Sequence, residues 1–221
     1  RPTRRSQSRS SAASEGYKRQ LQEDQTPIRI EIPIKAPTVA RRFGKESQDF
    51  ARSNINVSYG TGRKNQNGKY DRRNWYEAQI TVAKAITSQE DYPKDWPFYV
   101  VTDDGYQFEC HTTAQNHKQL TAYGNDHNDR VFGRWIKGRL VTAGLLQAFD
   151  TADQDPDGLG IVTREMLQQA QMSTLVLTKT DRQEVGRVYG RNEKGRLDKT
   201  KWANEVLDVW TIHFENAEEA D

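Results

Sequence analysis

Strand chemistry dominates this sequence. It predicts a mainly β fold, a barrel or sandwich with two short helices plugging its ends. Three observations carry that expectation. Apolar residues alternate with period two in several separate runs, an Asp-Asp-Gly turn joins two of those runs, and no βαβ alternation or internal repeat is visible.

The elements follow in chain order. Residues 1–27, "RPTRRSQSRSSAASEGYKRQLQEDQTP", carry almost no apolar side chains. They cannot offset the entropy of ordering and are expected to be a disordered linker or arm. Ile28, Ile30, Ile32 and Ile34 alternate as a strand that Pro33 confines to an edge or an end. A second alternation runs through Tyr76, Ala78, Ile80 and Val82. Phe98, Val100 and Thr102 lead into Asp103-Asp104-Gly105, and Tyr106, Phe108 and Cys110 lead out, which is hairpin writing. Val131, Phe132, Trp135, Ile136 and Leu140 recur at helical spacing, with Asn128 or Asp129 available as a cap. "VTREMLQQAQ" is the second helix, capped by Thr163, with Glu165 in the first turn where an acid suits the helix dipole. "STLVLTKT" and "VLDVWTIHF" are two further strands, the latter presenting Val206, Trp210, Ile212 and Phe214. One domain over residues 28–216 and a tail over 217–221 result.

Composition limits the function. The chain has 221 residues, 34% hydrophobic, with a net charge of +2. This suits one mid-sized domain with tails and excludes a global polyelectrolyte field, so any anion binding is local. The single cysteine, Cys110, excludes an internal disulfide and a zinc cluster, and a reducing cytoplasmic compartment is expected. No apolar run reaches the length of a membrane span, and no charged-then-apolar secretory leader is expected from this sequence. The chain starts without Met, and residues 1–27 read as a connection to an N-terminal part of a longer protein.

Catalytic patterns are sparse. None of His111, His117, His127 and His213 forms a His-x-Lys pair, and Glu90, Asp91, Lys94 and Asp95 surround Pro93 in what reads as a solvated turn. Cys110 sits inside an alternating strand as a small core hydrophobe. Asp153, Asp155, Asp157 and Gly158 begin like a calcium loop, but the position of the bidentate acid is Arg164, and Glu165 is one step too far. That stretch reads as an exposed acidic loop between two helices. No catalytic residue, metal or other cofactor is expected.

Two polar segments remain. Residues 52–73 hold Arg52, Arg63, Lys64, Lys69, Arg72 and Arg73 against Asp71 alone, interleaved with Asn54, Asn56, Ser58, Tyr59, Asn65, Gln66 and Asn67. Arg pairs with guanine edges, Asn and Gln with adenine edges, and Lys, Ser and Tyr suit phosphate oxygens. "TTAQNHKQLTAYGNDHNDR" is again rich in Asn, Gln, His and Lys, with no acid before Asp126. Two such loops beside antiparallel strands fit a pair of jaws for a major groove about 12 Å wide.

"SNINVSYG", "RRNWYEAQI", "FYVVTDDGYQFEC", "AQNHKQL", "NDRVFGRWIKGRL" and "VTREMLQQ", in that order, resemble the C-terminal DNA-recognition domain of phospholipase-D-type restriction endonucleases, the BfiI and NgoAVII group. The resemblance covers residues 39–180 and the strand at 206–214. It implies a B-three-like pseudobarrel with two short helices, similar to the domain of plant transcription factors, that grips a short double-stranded DNA site between an N-arm and a C-arm. The first polar loop matches the N-arm and residues 112–121 the C-arm. Val57-Ser58-Tyr59-Gly60 stands where the family has Trp-Gly, and the stretches at 150–160 and 185–204 are longer than the family pattern. The family's nuclease residues lie in a separate N-terminal domain without counterpart in this chain.

The resulting expectation is a sequence-specific recognition domain, non-catalytic by itself, that targets an attached nuclease in a prokaryotic cytoplasm and has no membrane partner. Arg52, Arg63, Arg72 and Arg73 are expected on guanine or phosphate, and Asn54, Asn56, Asn74, Gln115, Asn116 and Gln119 on base edges. Ser58, Tyr59, Lys64 and Lys118 are expected on the DNA backbone. Glu77 either orients an arginine, accepts from cytosine, or forms a structural ion pair. A self-contained metal nuclease and a protein- or carbohydrate-binding module remain alternatives.

Overall fold

Ile30 and Ile32 turn inward from strand β1 (Arg29–Pro33) while Arg29, Glu31 and Pro33 face out, as the period-two alternation predicts. The computed structural model describes residues 27–40, 55–60, 62–94, 96–123 and 130–216, apart from the Arg63 side chain. Strand β1 is an edge strand, where the missing N–H of Pro33 costs no ladder bond. It pairs antiparallel with β8 (Thr174–Arg191), which forms a hairpin with β9 (Leu197–Glu215). Strand β9 runs parallel to β5 (Phe98–Thr102). Strand β5 turns through Gly105, at φ 90°, into β6 (Gln107–Thr113). Strand β6 pairs with β7 (Gln119–Ala122), and β7 with the short edge strand β4 (Ile80–Thr81).

The seven strands form one curled half-barrel sheet in the order β1-β8-β9-β5-β6-β7-β4, so the architecture is mainly β and agrees with a B-three-like pseudobarrel. Strands β2 (Arg63–Lys64) and β3 (Tyr70–Asp71) make a separate ribbon.

Helices α2 (Val131–Thr142) and α3 (Arg164–Gln169) are those expected from the sequence, and a third, α1 (Lys84–Thr87), is too short for periodicity to reveal. Phe132, Trp135, Ile136 and Leu140 of α2 and Leu167 of α3 join the sheet's inner face in one core with Trp75, Phe98, Leu120, Leu175 and Trp210. Thr163 caps α3, its Oγ1 accepting from Met166 N at 3.3 Å. Arg130 precedes α2 without a side-chain cap, and the expected caps Asn128 and Asp129 lie outside the described residues.

The last two strands correct the sequence reading. Val206 is 63% exposed, while Leu207, Val209, Trp210 and Ile212 are buried. Val209, Trp210, Thr211 and Ile212 are buried in succession, so both faces of the inner half of β9 are covered while its outer half, with Val206, is not. The stretch 185–204, extra relative to the family pattern, is regular structure. It is the outer half of the β8–β9 hairpin, with its own small cluster of Tyr123, Val188, Tyr189 and Leu207. No helix among the described residues is long and apolar enough to cross a membrane.

Candidate nucleic-acid interface

The polar N-arm divides into a buried root and an exposed ribbon. Asn56 is 0% exposed, and its amide closes a two-way bond with the backbone of Val162: Nδ2 donates to the carbonyl and Oδ1 accepts from the N–H, each at 2.9 Å. Ser58 is buried and accepts from Lys137 Nζ at 3.3 Å. The Tyr59 hydroxyl donates to Asp155 Oδ2 at 2.6 Å and accepts from Trp75 Nε1 at 3.2 Å. The expectation that Asn56 reads a base edge and that Ser58 and Tyr59 hold phosphates is therefore corrected, because all three side chains satisfy buried polar groups under the arm. Composition cannot tell an inward Asn from an outward one.

Beyond the root, β2 and β3 are joined by a turn built on Asn65. Its Oδ1 accepts from the backbone N–H of Asn67 and of Lys69 at 3.0 Å, and Gly68 takes the left-handed position at φ 76°. Lys64, Gln66, Asn67, Lys69, Tyr70 and Arg72 are exposed on this ribbon. Tyr70, which the sequence reading did not select, is 60% exposed on this ribbon. Arg72 pairs with Asp153 at 2.6 Å on the surface, an ion pair weak enough to exchange for a phosphate. Arg73 is half-buried and paired with Glu77. Asn74 is held by a backbone bridge to Thr151, and its Oδ1 accepts from Tyr76 N at 3.0 Å. Arg52 and Asn54 lie outside the described residues, as does the Arg63 side chain.

The ribbon leaves no room at its base. A Cβ on Gly62 would stand 1.6 Å from the Asp71 carbonyl oxygen. Gly62→Ala is expected to abolish amide-exchange protection in residues 63–71 while the barrel still unfolds in one cooperative step. Retained protection would show that the ribbon tolerates a side chain there.

Two residues that sequence reasoning did not select hold this root. Lys137, 0% exposed, donates to the Trp75 carbonyl and to Ser58, and its ammonium lies 4.7 Å from the Trp75 ring centre. Burial lowers its pKa to about 7, against the attraction of Glu77. Its position between Gly133 and Leu140 on the apolar stripe of α2 was the signal available in the sequence. Asp155, 1% exposed, accepts from Tyr59, from Leu159 N at 2.8 Å and from Gly160 N at 2.9 Å. Residues 150–160 are thus no free acidic loop but the anchor of the N-arm. No group of three or more His, Cys, Asp or Glu among the described residues could hold a metal ion.

The C-arm is a strained turn between β6 and β7. Ala114 (φ 64°, ψ 177°), Asn116 (φ 59°) and His117 (φ 53°) all have positive φ, which is uncommon outside glycine. Each such residue costs on the order of 1–3 kcal/mol and persists only where its surroundings over-determine it. Here they do. Tyr92 Oη donates to the His117 carbonyl at 3.1 Å, Thr112 Oγ1 to that of Pro93 at 2.8 Å, and Val82 N to that of Lys118 at 2.7 Å. Gln115, Asn116 and Lys118 are left exposed and Gln119 half-buried. Strand β4 follows the N-arm and pairs with β7 on the far side of the C-arm, so both arms spring from one edge of the sheet.

Two titratable groups beside the C-arm are shifted toward their neutral forms. Burial and Lys199 lower the His111 pKa to about 4, and burial raises the Cys110 thiol far above its ordinary range.

A curled half-barrel with two polar loops at one edge has the architecture of a B3-like domain. Residues 20–170 match the family described as the NgoFVII C-terminal B3-like DNA-binding domain, and the chain belongs to that family. No curated protein matches the chain. The matched residues stop before the β8–β9 hairpin.

Proposed function

We propose that this chain recognises a short specific double-stranded DNA site through the major groove, with the β2–β3 ribbon and the C-arm turn as its two jaws. It does not cleave DNA itself. Residues 1–27 link it to an N-terminal nuclease domain in a prokaryotic cytoplasm, the 28–216 domain directs that nuclease, and 217–221 are a tail. The carrying observation is the C-arm, where three left-handed non-glycine residues present Gln115 and Asn116 to solvent from a turn fixed on both sides. Strain of this kind is retained where side-chain direction has a use. On the ribbon, Lys64 and Arg72 suit phosphates, and Arg63 is assigned to guanine or phosphate.

Selection of bound duplexes from a randomised pool gives the recognised site, and variants then separate the two kinds of contact. Gln115→Ala or Asn116→Ala relaxes preference at one or two base pairs by about 1–3 kcal/mol and leaves the salt dependence unaltered. Lys64→Ala or Lys118→Ala weakens all duplexes alike and lowers the log–log salt slope by roughly one unit. If neither property moves in any of these variants while the fold is intact, the two-jaw reading is wrong. Nicking of plasmid DNA by the repurified chain with magnesium would overturn the non-catalytic part.

A further inference from the structure

The outer half of the β8–β9 hairpin lies beyond the family match and carries a basic surface that neither arm uses. Residues 187–202 contain Arg187, Arg191, Lys194, Arg196, Lys199 and Lys201 against Glu193 and Asp198. Register explains how two of the lysines are displayed. Tyr189 pairs with Trp202 but Gly190 pairs with Asp198, so Lys199, Thr200 and Lys201 form a bulge without cross-strand partners. Asp198 Oδ1 fixes it by accepting from Thr200 N at 3.0 Å and from Thr200 Oγ1 at 2.6 Å. Bulges of this kind re-aim side chains at functional rims.

Arginines brace the same surface. The Arg187 guanidinium lies 4.7 Å from the Trp202 ring centre and that of Arg191 lies 5.3 Å from the Trp96 ring centre. Stacking holds a guanidinium by its face and leaves its in-plane N–H donors for other partners, one of which on Arg191 already donates to the Gly195 carbonyl at 2.9 Å. A cleft of about 200 Å³ joins this surface to the C-arm: Arg191 and Leu197 of the hairpin, Trp96, and Thr112 and Thr113 of the strand entering the turn all line it. Lys199 is close enough to His111 to disfavour its charged form. His111 lies on β6, which leads directly into the C-arm turn that carries Gln115.

We propose that this hairpin is a third DNA contact, with Lys199 and Lys201 binding phosphates that flank the recognised site on the C-arm side. The proposal rests on the DNA-recognition reading above, and it adds affinity without adding sequence preference, because phosphate contacts carry no base information.

The test uses the full chain and the duplex sequence obtained by selection, placed in a 14-bp duplex that ends at the site and in a 40-bp duplex with long flanks. The double variant Lys199→Gln/Lys201→Gln is compared with wild type across a salt series. The expected result is a salt slope lower by about two units on the 40-bp duplex, little change on the 14-bp duplex, and unaltered base preference. Circular dichroism and the unfolding midpoint confirm that the hairpin still folds, and Lys194→Gln/Arg196→Gln provides a second variant on the same tip with a smaller loss in the same direction. An unaltered slope on the 40-bp duplex overturns the third contact and leaves the two-jaw reading standing. Equal loss on both duplexes places the lysines on the core site and overturns the flanking assignment. Failure of wild type to bind any duplex overturns both readings.

Discussion

Asp155→Ala is expected to lower the unfolding free energy by about 3–5 kcal/mol, the largest effect of any single substitution outside the apolar core. The side chain is 1% exposed and accepts three hydrogen bonds, from Tyr59 Oη, Leu159 N and Gly160 N at 2.6–2.9 Å. Removing it strands three donors. A buried donor without a partner costs about 1–3 kcal/mol, and water entering the vacated space relieves part of the sum. Tyr59→Phe removes only the hydroxyl and should cost about 1 kcal/mol, which separates the anchor from the tyrosine ring. Chemical denaturation of the variants decides it. A loss below about 1 kcal/mol for Asp155→Ala would mean that residues 150–160 do not hold the N-arm root.

Lys137→Met is expected to change how stability depends on pH. Burial lowers the folded-state pKa of Lys137 to about 7, while the unfolded chain titrates near 10.4. Between those values the unfolded state holds a proton that the folded state has released. Stability contributed by this group therefore rises with pH through the window, and its desolvation cost is fully present below about pH 7. The slope cannot exceed about 1.4 kcal/mol per pH unit for one proton.

Cys110, raised by burial, acts in the opposite sense from about pH 8.5, and Tyr99, pushed up to about 12, does so from about pH 10. Both groups are present in wild type and variant. The difference between the two unfolding curves from pH 6.5 to 9.5 therefore isolates Lys137. It should grow in favour of wild type by about 2–3 kcal/mol as pH rises. Parallel curves would show that Lys137 keeps its charge in the folded protein throughout.

Alternation determined the strands. Ile30 and Ile32 face the core because a strand turns every second side chain to one face, and no tertiary contact is needed to foresee that. The Asp-Asp-Gly turn, the Thr163 cap and the apolar spacing of α2 were equally local, since each depends on residues within a few positions. The polar segment after the strand at 106–111 was also local in composition, and Gln115, Asn116 and Lys118 are exposed in the turn there.

The direction of the N-arm's polar side chains was not local. Asn56, Ser58 and Tyr59 face inward because Val162, Lys137 and Asp155, from 79 to 106 residues away in sequence, present unsatisfied polar groups to them. The Tyr59–Asp155 separation of 96 residues falls within that range. Lys137 is buried beneath the N-arm root, where it donates to Ser58 and the Trp75 carbonyl.

The sequence by itself determined a mainly β domain with two polar arms, because period, turn chemistry and charge are properties of neighbouring residues. Only the tertiary structure decided which arm residues are spent inside the protein and which stay free to meet a ligand. It also gave the extra stretch at 185–204 its form, the outer half of a paired hairpin. A polar side chain's direction is set by whichever distant donor or acceptor the fold brings against it, and burying that partner unsatisfied costs more than the solvation the side chain gives up.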